Sequence, residues 1–266
     1  MRPEAGFQSR ATGLKLYGFG VYFFLYLPLF IVIIFSFSPT QMIVGMSGFT
    51  TRWYEELLKD RQLLTAFWHS VIVGTCAVAL SLIFGTAGAM FLTKVRFPGK
   101  GVFRTLVLLP YVLPGIIMGL SLLIFFKSLN MKLSMLTILM GHVSFTTPVI
   151  MFQVLSRLKR MGPTYQMAAM DLGATPAKTF WYVTLPMIRT ALIGGALMAF
   201  TVSFDEIVIS YFLTGTWMTL PVYLYGMLRF GLTPKVYAIS SIILVMSLGL
   251  ITLMSRYLGK GAGSQS

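Results

Sequence analysis

Met167-Ala168-Ala169-Met170-Asp171-Leu172-Gly173-Ala174-Thr175-Pro176, followed by Val183-Thr184-Leu185-Pro186, is the stretch that decides the fold. Its local physics predicts two short helices with a bend between them. Pro163-Thr164 supplies a cap for the first. Gly173 suits the left-handed position that ends a helix, and Thr175 with Pro176 suits the cap and first position of the next. Pro186 is expected to close that second helix. Met167, Ala168, Ala169 and Met170 offer a small apolar face. Such a face either docks into a groove on a partner or rests against lipid headgroups.

The rest of the chain sets the context of this loop. Of 266 residues, 56% are hydrophobic and 11% charged. A soluble domain carries roughly a quarter charged residues. Disorder needs low hydrophobicity, which excludes it over most of the length. The excess of 21 Lys+Arg over 7 Asp+Glu lacks the wet polar surface that a nucleic-acid binder needs. An apolar chain with almost wholly positive charge fits an all-α integral membrane protein with basic cytoplasmic loops. The single cysteine, Cys76, cannot form an intrachain disulfide and reads as a small core residue.

Charge-free intervals mark the spans, since a helix needs about 20 apolar residues to cross the hydrocarbon. Six helices are predicted, over 16–37, 66–92, 102–126, 133–155, 188–212 and 236–257. The first is too long for a signal peptide and reads as retained. Residues 213–235 hold Thr214, Gly215, Thr216, Pro221, Gly226, Gly231 and Pro234, and read as an external hairpin or short amphipathic helix. One set of loops carries 14 Lys and Arg and the other 7. The richer side is cytoplasmic by the positive-inside rule, with both termini inside. The expected layout is a cytoplasmic segment over 1–15, a membrane domain over 16–258 and a cytoplasmic tail over 259–266. The longest internal loop is then 156–187, which contains the opening stretch.

That stretch resembles a known signature. Glu-Ala-Ala, three residues, Gly, nine residues, Ile, one residue, Leu-Pro marks the permease subunits of bacterial ABC importers. Ala168, Ala169, Gly173, Leu185 and Pro186 match at the right spacing, Val183 replaces Ile, and Met167 stands where Glu is usual. Gly141-His142-Val143-Ser144-Phe145 before Pro148 is similar to the fourth span of spermidine/putrescine-type permeases. So are Ser203-Phe204-Asp205-Glu206-Ile207-Val208-Ile209, Phe212-Leu213-Thr214-Gly215 and Leu220-Pro221. The resemblance implies the second permease subunit of a polyamine-type importer in the bacterial inner membrane, with six helices of the type I fold. It implies a heterodimeric pore, two ATPase subunits that bind ATP and Mg2+, and a periplasmic solute-binding protein. Coupling to the ATPases then falls on Met167, Ala168, Ala169, Asp171, Gly173, Leu185 and Pro186. The chain itself needs no cofactor and is not an enzyme. It has no Gly-rich phosphate loop ending in Gly-Lys-Ser/Thr.

Asp205 and Glu206 are the acids well inside a predicted span. Burying a charge there costs roughly 2.5–3.5 kcal/mol on insertion scales, so such residues face a bundle interior or a wet cavity. One reading has Asp205 lining the solute path near the outer gate. The other makes it structural, bonded to His142 or to the partner permease. Adjacent helix residues point about 100° apart, which favours one acid over two. Asp205 is preferred because Phe204 and Tyr211 bracket its face. Tyr211, Phe212, Trp217, Tyr223, Tyr225, Phe230 and Tyr237 gather near the external ends, either to contact a cation or as ordinary interfacial aromatics.

Pro110 and Pro114, with Gly115 and Gly119, predict a pore-lining bend in the third span; Pro28 and Pro148 fit similar roles. Gly74, Gly85, Gly88, Gly194 and Gly195 are expected to permit close helix contact. His69 and His142 are too far apart for a metal pair. Gly115 after Pro114 and Lys235 after Pro234 replace acids frequent in polyamine permeases. With Arg229 they leave the outer entrance partly positive, so opines, γ-aminobutyrate-like compounds and guanidino acids stay open as solutes. An intramembrane protease using Ser47 of Gly45-Met46-Ser47-Gly48, and an ion-coupled transporter using Asp205, are the competing classes.

Overall fold

A computed structural model describes residues 4–39, 48–229, 231 and 233–262. Among them the chain is all helical, with no strand. The helices are α1 (Glu4–Phe35), α2 (Arg52–Lys59), α3 (Arg61–Lys94), α4 (Lys100–Val112), α5 (Gly115–Ser128), α6 (Met135–Met161), α7 (Thr164–Asp171), α8 (Pro176–Thr179), α9 (Leu185–Phe204), α10 (Val208–Leu213), α11 (Leu220–Leu228) and α12 (Pro234–Ala262). A π-helical turn, Phe180–Thr184, joins α8 to α9.

Among the described residues, four single helical stretches are long and apolar enough to cross a membrane: Tyr17–Phe35, Arg61–Lys94, Met135–Met161 and Pro176–Phe204. The third expected span, 102–126, is two helices, α4 and α5, that meet at 101°. The bend sits at Leu113-Pro114, both in extended backbone. Proline bars the helical conformation at the residue before it, which turns the expected kink into a break. The sixth expected span, 236–257, lies within α12.

Other boundaries need correction. Helix α1 begins at Glu4, ahead of the expected span start at 16, and α12 continues past 257 to Ala262. Charged residues end an apolar run but not a ladder of backbone hydrogen bonds. The fifth span differs most. Its helix is continuous from Pro176 to Phe204 and stops there instead of reaching 212. Pro186 does not close it. The turn before Pro186 is widened, with the Leu185 N–H bonded to the Phe180 carbonyl five residues back. That extra residue per turn absorbs a proline that would clash in a regular helix.

The chain divides into two compact units, residues 1–61 with 227–257, and residues 62–226 with 258–266. In the first, Trp53 Nε1 donates to the Ser38 carbonyl at 2.8 Å, Ser36 Oγ and Tyr54 Oη lie 2.6 Å apart, and Lys235 Nζ pairs with Asp60 Oδ2 at 2.6 Å. In the second, α6 is the central helix and is buried along its length, through Ile138, Phe145, Ile150, Val154 and Leu158.

Helices in lipid gain little from the hydrophobic effect, so close contact and interhelical hydrogen bonds hold them together. Gly85 of α3 lies against the α6 backbone. A Cβ there would come within 3.0 Å of the Met151 nitrogen and the Thr147 oxygen. Nearby, Ser81 Oγ bonds Thr146 Oγ1 at 2.7 Å. Gly74 and Gly88 are similarly tight against Phe200 and Met151. Gly195 makes ordinary contact, and Gly194 meets nothing within 4 Å, so it makes no close helix contact among the described residues.

His142 of α6 makes the other decisive contacts. Its Nδ1 lies 2.7 Å from Ser203 Oγ and its Nε2 lies 2.9 Å from Ser210 Oγ, all buried. A neutral imidazole donates through one nitrogen and accepts through the other, so both are satisfied. Ser203 ends α9 and Ser210 belongs to α10. The ring therefore spans the interruption between those helices.

Two outcomes test this packing. Gly85→Ala should lower thermal stability in detergent by about 1–3 kcal/mol through overpacking, whereas Gly194→Ala should leave the melting temperature unchanged. His142→Ala should destabilise by about 2 kcal/mol. Two orphaned hydroxyls cost roughly 1–3 kcal/mol each when unsatisfied, and bonding back to helix carbonyls recovers part. Size-exclusion monitoring of heated samples reads both.

Candidate functional site

The sequence Phe204-Asp205-Glu206-Ile207-Val208 interrupts the fifth span. Asp205 is the C-cap of α9, its N–H bonded to the Thr201 carbonyl at 3.1 Å. Glu206 turns its side chain onto the next helix, and Oε1 accepts the Ile209 N–H at 2.9 Å. That bond satisfies a donor which the start of α10 would otherwise leave orphaned. Glu206 is thus occupied in capping. Asp205 is exposed and makes no ion pair or side-chain hydrogen bond among the described residues. The acids do not sit within a continuous helix, so the bracketing by Phe204 and Tyr211 does not apply. Phe204 is buried and its neighbour Asp205 is not. Nor is Asp205 bonded to His142, whose partners are Ser203 and Ser210.

The bend at Pro114 meets this interruption. Gly115, the first residue of α5, lies against Val208, the first residue of α10, with 3.3 Å left for a Cβ. Gly119 and Gly141 similarly admit Phe212 and Leu213. Helix α10 is therefore seated between α5 and α6, and Thr137 Oγ1 donates to the Leu213 carbonyl at 3.1 Å. The structure thus brings Pro114 and the Asp205–Glu206 segment into one region. Tyr211 packs edge-on to Tyr225, centroids 5.8 Å apart. His142 is fully buried and presents no free nitrogen to a solute.

The opening loop sequence folds into α7 and α8. Helix α7 ends in a two-bond left-handed cap. The Ala174 N–H reaches the Ala169 carbonyl at 3.0 Å, and the Gly173 N–H reaches that of Met170 at 2.9 Å. Gly173 has φ +83°, a conformation glycine adopts without strain. Thr175 Oγ1 accepts the Lys178 N–H at 3.4 Å, with Pro176 in the first turn. At the other end Pro163 is the N-cap and no side chain caps the helix, so Thr164 does not do so. Met167 and Met170 line a cavity beside α6. Tyr165, Ala168 and Leu172, spaced three and four apart, share the other helix face. Leu172 is 89% exposed, an extreme for a leucine. Asp171 is also exposed, while Leu185 and Pro186 begin α9 one widened turn further on.

The remaining candidates are structural in this arrangement. His69 stacks on Trp217 with centroids 3.7 Å apart, and its Nδ1 lies 2.9 Å from the Met218 carbonyl. Tyr237 packs on Phe35 within the first unit. Phe230 and the Gly45-Met46-Ser47 string lie outside the described residues. No group of three His, Cys, Asp or Glu side chains that could hold a metal occurs among the described residues.

Comparison with known proteins places this architecture. The family model for the binding-protein-dependent transport system inner membrane component matches residues 77–259. The putrescine transport system permease protein PotI of Escherichia coli (strain K12) is 38% identical, over 91% of this chain and 89% of its own. The spermidine/putrescine transport system permease protein PotC of Shigella flexneri is 33% identical, over 91% and 94%. Among solved structures, a bacterial ABC transporter involved in the import of the acidic polysaccharide alginate aligns with a TM-score of 0.71. It covers 98% of both chains at 19% identity, a likeness of fold alone. With the family matched over most of its length, the chain belongs to the binding-protein-dependent transport system inner membrane components and is a permease subunit of an ABC importer.

Proposed function

We propose that this chain is the second permease of a heterodimeric pore that imports a small organic amine, putrescine or spermidine above all. The observation that carries the reading is Asp205, an exposed carboxylate without a side-chain partner among the described residues, held at a fixed break in the fifth span. A fixed anion in a low-dielectric wall attracts an ammonium group and repels anionic solutes. The identity to putrescine and spermidine permeases supports the same solute class. The positive outer entrance that favoured amino-acid-derived solutes is weakened, because Lys235 is neutralised by Asp60 at 2.6 Å.

In this reading both termini are cytoplasmic, and two partner ATPases bind ATP and Mg2+ and dock against α7. A periplasmic binding protein delivers the solute, and the pore alternates between outward and inward access. Ala168 and Leu172 form the docking face. A leucine so exposed on a water-facing helix finds its stabilisation in a partner's groove. Asp171 lies in the last turn of α7, where a negative charge opposes the helix dipole by about 0.3–1 kcal/mol. Its place there fits a cationic contact on the ATPase.

Asp205→Asn should lower putrescine uptake into reconstituted vesicles about tenfold or more, equivalent to a loss of roughly 1.4 kcal/mol, with assembly and basal ATP hydrolysis unchanged. Unaltered uptake would remove Asp205 from the pathway. Leu172→Asp should abolish co-purification of the ATPase, and a cysteine replacing Ala168 should crosslink to it. An assembled complex without that crosslink would count against the docking face.

A further inference from the structure

A second polar site lies at the base of the membrane helices, apart from the Asp205 region. It is a cavity of about 640 Å³ whose wall includes Lys94, Arg96, Lys159, Gln166, Met167 and Thr179. The volume falls within the range of small-molecule sites. Lys94 ends α3 and Lys159 lies in the last turn of α6. Each helix C-terminus carries roughly half a negative charge. Two such ends offset about one of the three positive charges and leave about two uncompensated. None of the three cations forms an ion pair with a side chain among the described residues, and no acid lines the cavity. Met167 occupies the place where the loop signature has Glu, so the loop brings no carboxylate there.

The second observation is Thr179. It is 4% exposed, it lines the cavity, and its hydroxyl has no hydrogen-bond partner among the described residues. A buried unsatisfied hydroxyl costs roughly 1–3 kcal/mol. Ordinary positive-inside residues are solvated on a convex surface and need no such concavity. Here a concave wall, uncompensated cations and an orphaned hydroxyl converge.

We propose that this cavity binds a phosphate group. Arg96 offers a planar fork matched to phosphate oxygens, Lys94 and Lys159 supply point charges, and Gln166 and Thr179 complete the hydrogen bonding. The group belongs to an anionic lipid headgroup or to a soluble phosphate, and both present the same oxygens. Because Gln166, Met167 and Met170 of α7 form one wall, occupancy stiffens that helix against α6. The inference stands independently of which solute the importer carries.

The test is hydrogen exchange of the backbone amides of residues 164–172 in the assembled importer. Three media are compared: phosphatidylcholine nanodiscs alone, the same with a minor share of phosphatidylglycerol, and phosphatidylcholine with added inorganic phosphate. Exchange should slow about tenfold once the anion reaches about nine times its dissociation constant. Slowing with phosphatidylglycerol alone identifies a lipid source, and slowing with phosphate identifies a soluble one. The effect should vanish in the Lys94→Gln/Arg96→Gln/Lys159→Gln variant and persist in Lys94→Arg/Arg96→Lys/Lys159→Arg. If the triple neutral variant fails to assemble, Arg96→Gln alone should weaken the response. Slowing by neither anion overturns the proposal, as does slowing that survives neutralisation. Faster exchange in the neutral variant without added anion, together with loss of the ATPase, also overturns it and assigns the cations to a carboxylate of that partner.

Discussion

The pair of hydrogen bonds from His142 to Ser203 and Ser210 governs this structure. A membrane helix that stops within the bilayer leaves backbone groups with no water to meet them. Here several groups of the interruption are tied. Glu206 caps the next helix, Thr137 meets a carbonyl at its far end, and the imidazole clamps both sides to the central helix. The clamp makes the interruption a shape rather than a point of flexibility. Glu206 and His142 are thereby occupied structurally, whereas Asp205 has no side-chain partner among the described residues.

The fold was legible wherever a residue type has one conformational use. Gly173 terminates α7 in the left-handed region, Thr175 and Pro176 start α8, and Pro114 breaks the third span. What escaped notice depends on contacts between distant segments. Nothing in Phe204-Asp205-Glu206-Ile207 spells a helix stop, since it contains neither Gly nor Pro. The signal was the adjacent acids themselves, which hydrocarbon tolerates poorly in a continuous helix. Asp60 and Lys235 are 175 positions apart, so their pairing was invisible and Lys235 was read as a free charge. The exposure of Leu172 follows from its place at the end of α7, where the chain turns away.

The likeness to a chain of a bacterial alginate importer, at 19% identity, is one of architecture. Folds of this kind position side chains, and the chemistry of a few of them decides what passes. The candidate site conforms to that division. Glycines 115, 119 and 141 let three helices approach closely and carry no chemical information. Asp205, exposed and without a side-chain partner among the described residues, offers a charge.

The continuous helix from Pro176 to Phe204 has a mechanical consequence. Its 29 residues form a rod of about 40 Å at about 1.5 Å per residue. One end adjoins the loop that contains α7, and Asp205 follows directly on the other. A flexible joint would dissipate motion along such a path, but a hydrogen-bonded helix transmits it as rotation or translation of the whole body. A displacement of a few ångströms at Pro176 therefore reaches the carboxylate almost in full. The widened turn at Phe180–Thr184 sits close to the Pro176 end, so most of the rod lies beyond any slack it contains.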